Sequence, residues 1–152
     1  MRTAAASGMA VLPPGGVLRL WTDVSRWPAL VEGFERAHEI APEWPEPGAK
    51  VVWQSGPGGR GRVTERVVAR SDERFATQVF EQALHGTQTL TVSPAPEGGT
   101  LCELRLDYEL QRYGPLRAIA DVLFIRRALR DSLRRTLRRL TVEAEEDAGL
   151  RG

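Results

Sequence analysis

The hydrophobic period changes once along this chain, near Gly114-Pro115, and that change constrains the fold more than any other feature. Before it, Cys102, Leu104, Leu106, Tyr108 and Leu110 alternate with Glu103, Arg105, Asp107 and Glu109. A period of two with one apolar and one charged face is a strand of an antiparallel sheet that is wet on one side. After it, Val122, Ile125, Leu129, Leu133, Leu137, Leu140 and Ala144 recur at steps of three and four. That pattern, held for about thirty residues, predicts one long amphipathic helix. Pro115 suits its first turn and Gly149 a stop near its end. The expected domain is residues 1–146, with 147–152 as a tail.

Upstream, residues 2–11 read as a first strand closed by Pro13-Pro14-Gly15-Gly16. Val17, Leu18, Leu20 and Trp21 then predict a short helix. Val24, Trp27 and Leu30 predict a second, because Pro28 forbids one uninterrupted helix. Extended segments follow between turn clusters: Phe34 to Ile40, Lys50 to Ser55, Arg62 to Ala69, Arg74 to Gln82, Leu84 to Ser93 and Thr100 to Leu110. Short strands at that spacing argue for an antiparallel meander. The Gly-rich run from Gly56 to Gly61 has no Lys-Ser/Thr pair and leads into a strand, so it reads as a hairpin loop rather than a phosphate loop. The class is therefore α+β: a curved antiparallel sheet wrapped around a long C-terminal helix, with two short helices after the first strand. A helix cannot fill such a concave face completely, and the gap becomes a pocket.

Composition narrows the function. The 152 residues are 41% apolar and 27% charged, the balance of one globular domain. Cys102 is the single cysteine, which excludes a disulfide framework and a Cys-rich zinc site. His38 and His85 have no ligand-like spacing, so neither a metal nor a cofactor is expected. Apolar runs fall short of the ~18 residues that cross a bilayer. The Ala-rich start, broken by prolines, is a poor signal peptide, and a cytoplasmic address is expected. The net charge of +1 supplies no field toward DNA, and no DNA partner is expected. Charge is nonetheless segregated: residues 1–110 carry net −3 and residues 111–146 net +4. Arg127, Arg130, Arg134 and Arg138, flanked by Arg126, Arg135 and Arg139, form either a solvated helix face with Asp131 as partner or a contact surface for an anionic macromolecule.

With that order of elements, three segments resemble the START-like (SRPBCC) helix-grip superfamily, which includes polyketide cyclases and dehydrases, lipid-transfer domains and the birch pollen allergen class. They are Val17–Trp21 with the Asp23-Val24-x-x-Trp27-Pro28 step, Gly99-Thr100 before the strand ending Asp107-Tyr108-Glu109-Leu110, and the Arg/Leu-rich last helix ending in Glu143–Glu146. The resemblance covers nearly the whole chain. It implies a helix-grip fold around a cavity for a small hydrophobic molecule. Separately, an exposed edge strand leaves both a monomer and a homodimer open.

Strand parity and helical phase then select the lining. Trp27, Phe34, Trp53, Gln78, Phe80, Gln88, Leu90, Leu104, Leu106, Tyr108, Phe124 and Ile125 are the candidate ligand-binding residues. Phe75 and Phe80 have opposite parity, and Phe80 is the one taken as inward. In the cyclases that the chain resembles, buried polar groups assist enolisation or water loss, and Arg36, His38 and Tyr108 are the candidates for such a role. Gln and Tyr orient a carbonyl but are poor bases near neutrality, so binding is favoured over catalysis. Cys102, in phase with Leu104 and Leu106, is expected to be a small core residue.

Overall fold

The computed structural model describes residues 1–111 and 119–151, with side chains omitted for 119–123 and beyond 149. Tyr113 and Pro115 therefore lie outside the described residues, as does the side chain of Val122. Seven strands form one antiparallel sheet in the order β1-β7-β6-β5-β4-β3-β2. They are β1 (Arg2–Ala10), β2 (Phe34–Ile40), β3 (Lys50–Ser55), β4 (Arg62–Arg70), β5 (Arg74–Phe80), β6 (Leu84–Pro94) and β7 (Thr100–Leu110). Helices α1 (Pro14–Thr22) and α2 (Trp27–Leu30) lie between β1 and β2, and α3 (Ile119–Arg151) follows β7. This is the expected helix-grip architecture.

Each element follows from its residues. Pro14 opens α1, where a missing N–H costs nothing, and Val17, Leu20 and Trp21 are its buried side. The Asp23 carboxylate accepts from the Ser25 N–H and starts the single 3-10 turn leading into α2. Trp27, at the head of α2, donates from Nε1 to the Trp21 carbonyl at 2.8 Å and fixes the angle between the two short helices. Leu133, Leu137, Leu140 and Ala144 of α3 are buried together with Leu90, Leu104 and Leu106 of the sheet. Arg26 clasps the other end of α3, donating to Glu143 at 2.6 Å and to Asp147 at 2.9 Å.

That clasp corrects the expected boundary. The helix does not stop at Gly149 but continues to Arg151, and Asp147 and Ala148 pack on the domain rather than trailing as a tail. An exposed glycine near a helix end costs only about 1 kcal/mol, which a helix of 33 residues absorbs.

Strand β2 corrects a second expectation. Its register with β3 shifts between Phe34 and Arg36 and again between Ala37 and Glu39, so Glu35 and His38 are extra residues on the bulged strand. Phe34 and Ala37 turn toward the core while Arg36 and His38 are exposed. Simple alternation had grouped Phe34, Arg36 and His38 on one face.

Candidate functional site

Under α3 the sheet is not uniformly apolar. Strand β4 presents Val63, Glu65 and Val67 to the interior, so a carboxyl stands where a core residue is expected. Glu65 is 5% exposed. The Trp53 Nε1 donates to its Oε2 at 2.8 Å and the Thr77 hydroxyl to its Oε1 at 2.9 Å. Burial pushes its carboxyl above the ordinary 4.5, a shift that Arg60 and the two hydrogen bonds oppose and Glu81 reinforces.

Arg60 reaches this region from the loop between β3 and β4. That loop is a hairpin, as expected: the Gly59 N–H donates to the Gly56 carbonyl and the Gly61 N–H to the Ser55 hydroxyl. Gly61 has a φ of +75°, which a side chain would resist. The guanidinium lies 5.1 Å from the Trp53 ring centroid and donates from Nε to the buried Glu81 carboxylate. One arginine thus faces two buried carboxyl groups.

These groups border a small enclosed cavity of about 30 Å³ between sheet and helices. Its apolar wall includes Trp21, Trp27, Val31 and Leu133, and its polar wall Arg60, Glu65, Gln88 and Thr136. Such a volume holds about a single water molecule. Beside it aromatic rings pack in a chain: Trp27 meets Phe34 and Trp44 edge-on at 6.1 and 5.8 Å, Phe34 meets Trp53 at 5.4 Å, and Trp44 meets Phe75 at 5.6 Å.

The sequence candidates divide accordingly. Trp27, Trp53, Leu90, Leu104, Leu106 and Tyr108 are buried on the concave face, with Phe34, Gln88 and Ile125 half-buried. Trp27 and Gln88 border the cavity itself. The Tyr108 hydroxyl is buried with no hydrogen-bond partner among the described residues.

Five placements are corrected. Phe80 is 45% exposed and Gln78 lies on the same outer face, because β5 turns Phe75, Thr77 and Val79 inward instead. Phe80 stacks on His85 outside the sheet. Phe124 is 73% exposed, one residue out of the helical phase that buries Leu129 and Leu133. Arg36 and His38 are exposed through the β2 bulges and form no inward pair. Cys102 is buried as expected, and burial pushes its thiol up to about 11, which makes it a poor nucleophile.

Sequence reasoning passed over Glu65, Thr77, Arg60 and Glu81. Glu65 had a signal, since it stands in phase between Val63 and Val67. Arg127, Arg130, Arg134 and Arg138 are exposed along α3, with Arg134 3.7 Å from Asp131. Arg135 pairs with Glu32 at 2.7 Å.

The model of one protein family, described as polyketide cyclase / dehydrase and lipid transport, matches residues 1–145. The chain belongs to this family. Among solved structures, the family fold recurs in the di-domain aromatase/cyclase StfQ of the steffimycin biosynthetic pathway, at 15% identity and a TM-score of 0.78. That match covers 97% of this chain and 52% of StfQ. The Zhui aromatase/cyclase from Streptomyces sp. R1128 matches at 18% identity and a TM-score of 0.71, covering 97% and 95% of the two chains. A START superfamily protein from Mycobacterium smegmatis matches at 11% identity and a TM-score of 0.74, covering 95% and 97%. No curated protein matches the sequence. For this polyketide cyclase/dehydrase family member, membership and fold support a ligand-binding or cyclase role. No helix among the described residues is long and apolar enough to cross a membrane.

Proposed function

We propose that the protein binds a small, largely apolar molecule (a lipid, isoprenoid or polyketide-like compound) between its sheet and α3, acting as a carrier or binding module in the cytoplasm. The observation that carries this reading is the enclosed cavity, bordered by Trp21, Trp27 and Leu133 on one side and by Glu65 and Gln88 on the other. An apolar wall with a few convergent polar groups is the usual composition of a small-molecule site. A space of about 30 Å³ seats no more than a water-sized polar group, so binding a larger molecule requires the side chains around it to move aside.

Native mass spectrometry of protein from its own host, followed by organic extraction, tests this. A bound hydrophobic molecule is expected. Protein that is empty and also fails to bind a panel of lipids and aromatic polyketides would overturn the reading.

A cyclase/dehydratase activity in the same cavity is the second reading, and Glu65 favours it. Loss of water or cyclisation at a ketone needs an acid near the carbonyl oxygen, and burial raises the proton affinity of the Glu65 carboxyl in the sense that such a role requires. Turnover of an aromatic poly-β-ketone by the wild type but not by Glu65→Gln, with both folded, is the expected result under this reading. Equal turnover by both would remove Glu65 from the chemistry.

A further inference from the structure

The sheet ends at β1 and at β2, and the two edges are built differently. Strand β2 is blunted by two bulges and carries the exposed Glu35, Arg36 and Glu39, the ordinary devices against pairing with another chain. Strand β1 pairs with β7 alone and in unbroken register. From Thr3 to Ala10 it holds no charged residue and no proline. The Thr3 carbonyl accepts from Arg126 Nε at 3.2 Å, so it points off the edge. Antiparallel residues alternate in this respect, and the N–H and C=O groups of Ala5, Ser7 and Met9 point the same way. No other strand among the described residues takes them up.

Helix α3 runs beside this open edge. Arg126 meets it at Thr3, and a groove of about 380 Å³ lies between Ser7 and Met9 on one side and Arg134 and Arg138 on the other. A Cβ at Gly8 would stand 3.3 Å from Leu137 Cδ2, so the glycine lets the helix settle this close. Arg126, Arg130, Arg134 and Arg138 thus form an exposed row at four-residue steps. Arg130 and Arg138 have no ion-pair partner among the described residues, and Arg134 has only Asp131 at 3.7 Å. Four helical residues rise about 6 Å, and side chains on one face of an extended chain recur at about 6.8 Å. The row can therefore meet alternate side chains of a strand laid along β1, the small difference being taken up by the arginine stems.

We propose that β1 and α3 form a docking groove for an extended acidic peptide, which joins the sheet as an eighth strand and turns its carboxylates toward the arginine row. Its other side chains, small or apolar, lie beside Ala5 and the exposed Met9 on the outer face. A second copy of this chain does not fit, because β1 brings no acid and pairing two β1 strands would set two arginine rows against each other. Nucleic acid would use the arginines and leave the open backbone edge unmatched.

A labelled peptide of about eight residues that alternates Glu and Val tests this by fluorescence anisotropy near pH 7 and about 0.1 M salt. It is expected to bind at least about tenfold more tightly than the same peptide with Lys for Glu, or than one of equal composition with its Glu residues in a single block. Arg134→Glu together with Arg138→Glu should lose at least about tenfold in affinity, with the circular dichroism spectrum unchanged. Methylating the peptide nitrogens on one edge should abolish binding, and methylating those on the other edge should not. Amide exchange at Ala5, Ser7 and Met9 should slow in the complex. Equal binding by the two methylated isomers, or by the Lys peptide, would overturn strand addition. Tighter binding of oligothymidylate or of phosphatidylglycerol vesicles would assign the row to phosphate groups instead. No binding of the alternating Glu-Val peptide would overturn the proposal outright.

Discussion

Two carboxyl groups of this sheet are held in opposite states by their surroundings. Glu65 in β4 is buried under α3, and desolvation raises its proton affinity. Asp107 in β7 lies on the outer face and is held below its ordinary 3.8 by hydrogen bonds from Arg105, at 3.1 Å, and from Thr3, at 2.6 Å. Both accept two kinds of donor. The difference lies first in burial and then in the cation: Arg105 is committed to Asp107 within one strand, whereas Arg60 is divided between two acids. A buried carboxyl in this fold is raised when burial outweighs a compensating charge that is engaged elsewhere.

The comparison is broken most severely by removing the ring that supports the interior cluster. Trp53 is fully buried, donates to Glu65 and carries Arg60 against its face. Trp53→Ala should lose about 3–5 kcal/mol in urea unfolding. A loss under about 1 kcal/mol would mean that the cluster does not depend on it.

Next in size is the pH dependence of Glu65. Its folded-state proton affinity exceeds the unfolded one, so its contribution to stability is complete below about 4.5 and drains as pH rises toward the folded value. Wild type should therefore lose stability relative to Glu65→Gln across that window, by at most about 1.4 kcal/mol per pH unit. Parallel stability curves for the two proteins would contradict the raised affinity.

The exterior site sharpens the contrast with the smallest effect and the reverse sign. Asp107 contributes above 3.8, and that contribution is lost as pH falls. Asp107→Asn should cost less than about 1 kcal/mol near neutrality, as for other surface pairs. Thermal melts should show that cost disappearing in acid. A difference that persists below pH 3 would assign it to packing instead.

How much of this was legible depends on what each residue faces. The alternation of Thr100–Leu110 could be read because one face of β7 is wet, whereas its register with β6 and β1 could not, since pairing partners leave no mark within one strand. The periodicity of α3 was equally plain. Strand β2 misled because Glu35 and His38 are inserted into its register, and a bulge leaves no mark on hydrophobicity. The choice between Phe75 and Phe80 hung on a parity that only contact with Trp44 decides. Glu65 was readable in principle, but a charged residue between apolar ones is usually assigned to solvent. Arg60 was not readable, since its direction is set by a glycine hairpin and by an acid 21 residues away.

The clasp of Arg26 on Glu143 and Asp147 is not the sole tie on α3: Arg135 pairs with Glu32 midway along it, and Arg126 donates to the Thr3 carbonyl nearer its start. The residues bordering the cavity, Ser132 to Thr136, sit about 17 Å along the helix from that clasp, at 1.5 Å per residue. A tilt of roughly ten degrees about the clasp would raise Leu133 by about 3 Å and would pull apart the Arg135–Glu32 pair. Widening the gap between sheet and helix therefore costs that ion pair and the packing of Leu133 and Leu137, which locks the floor of the cavity to its roof.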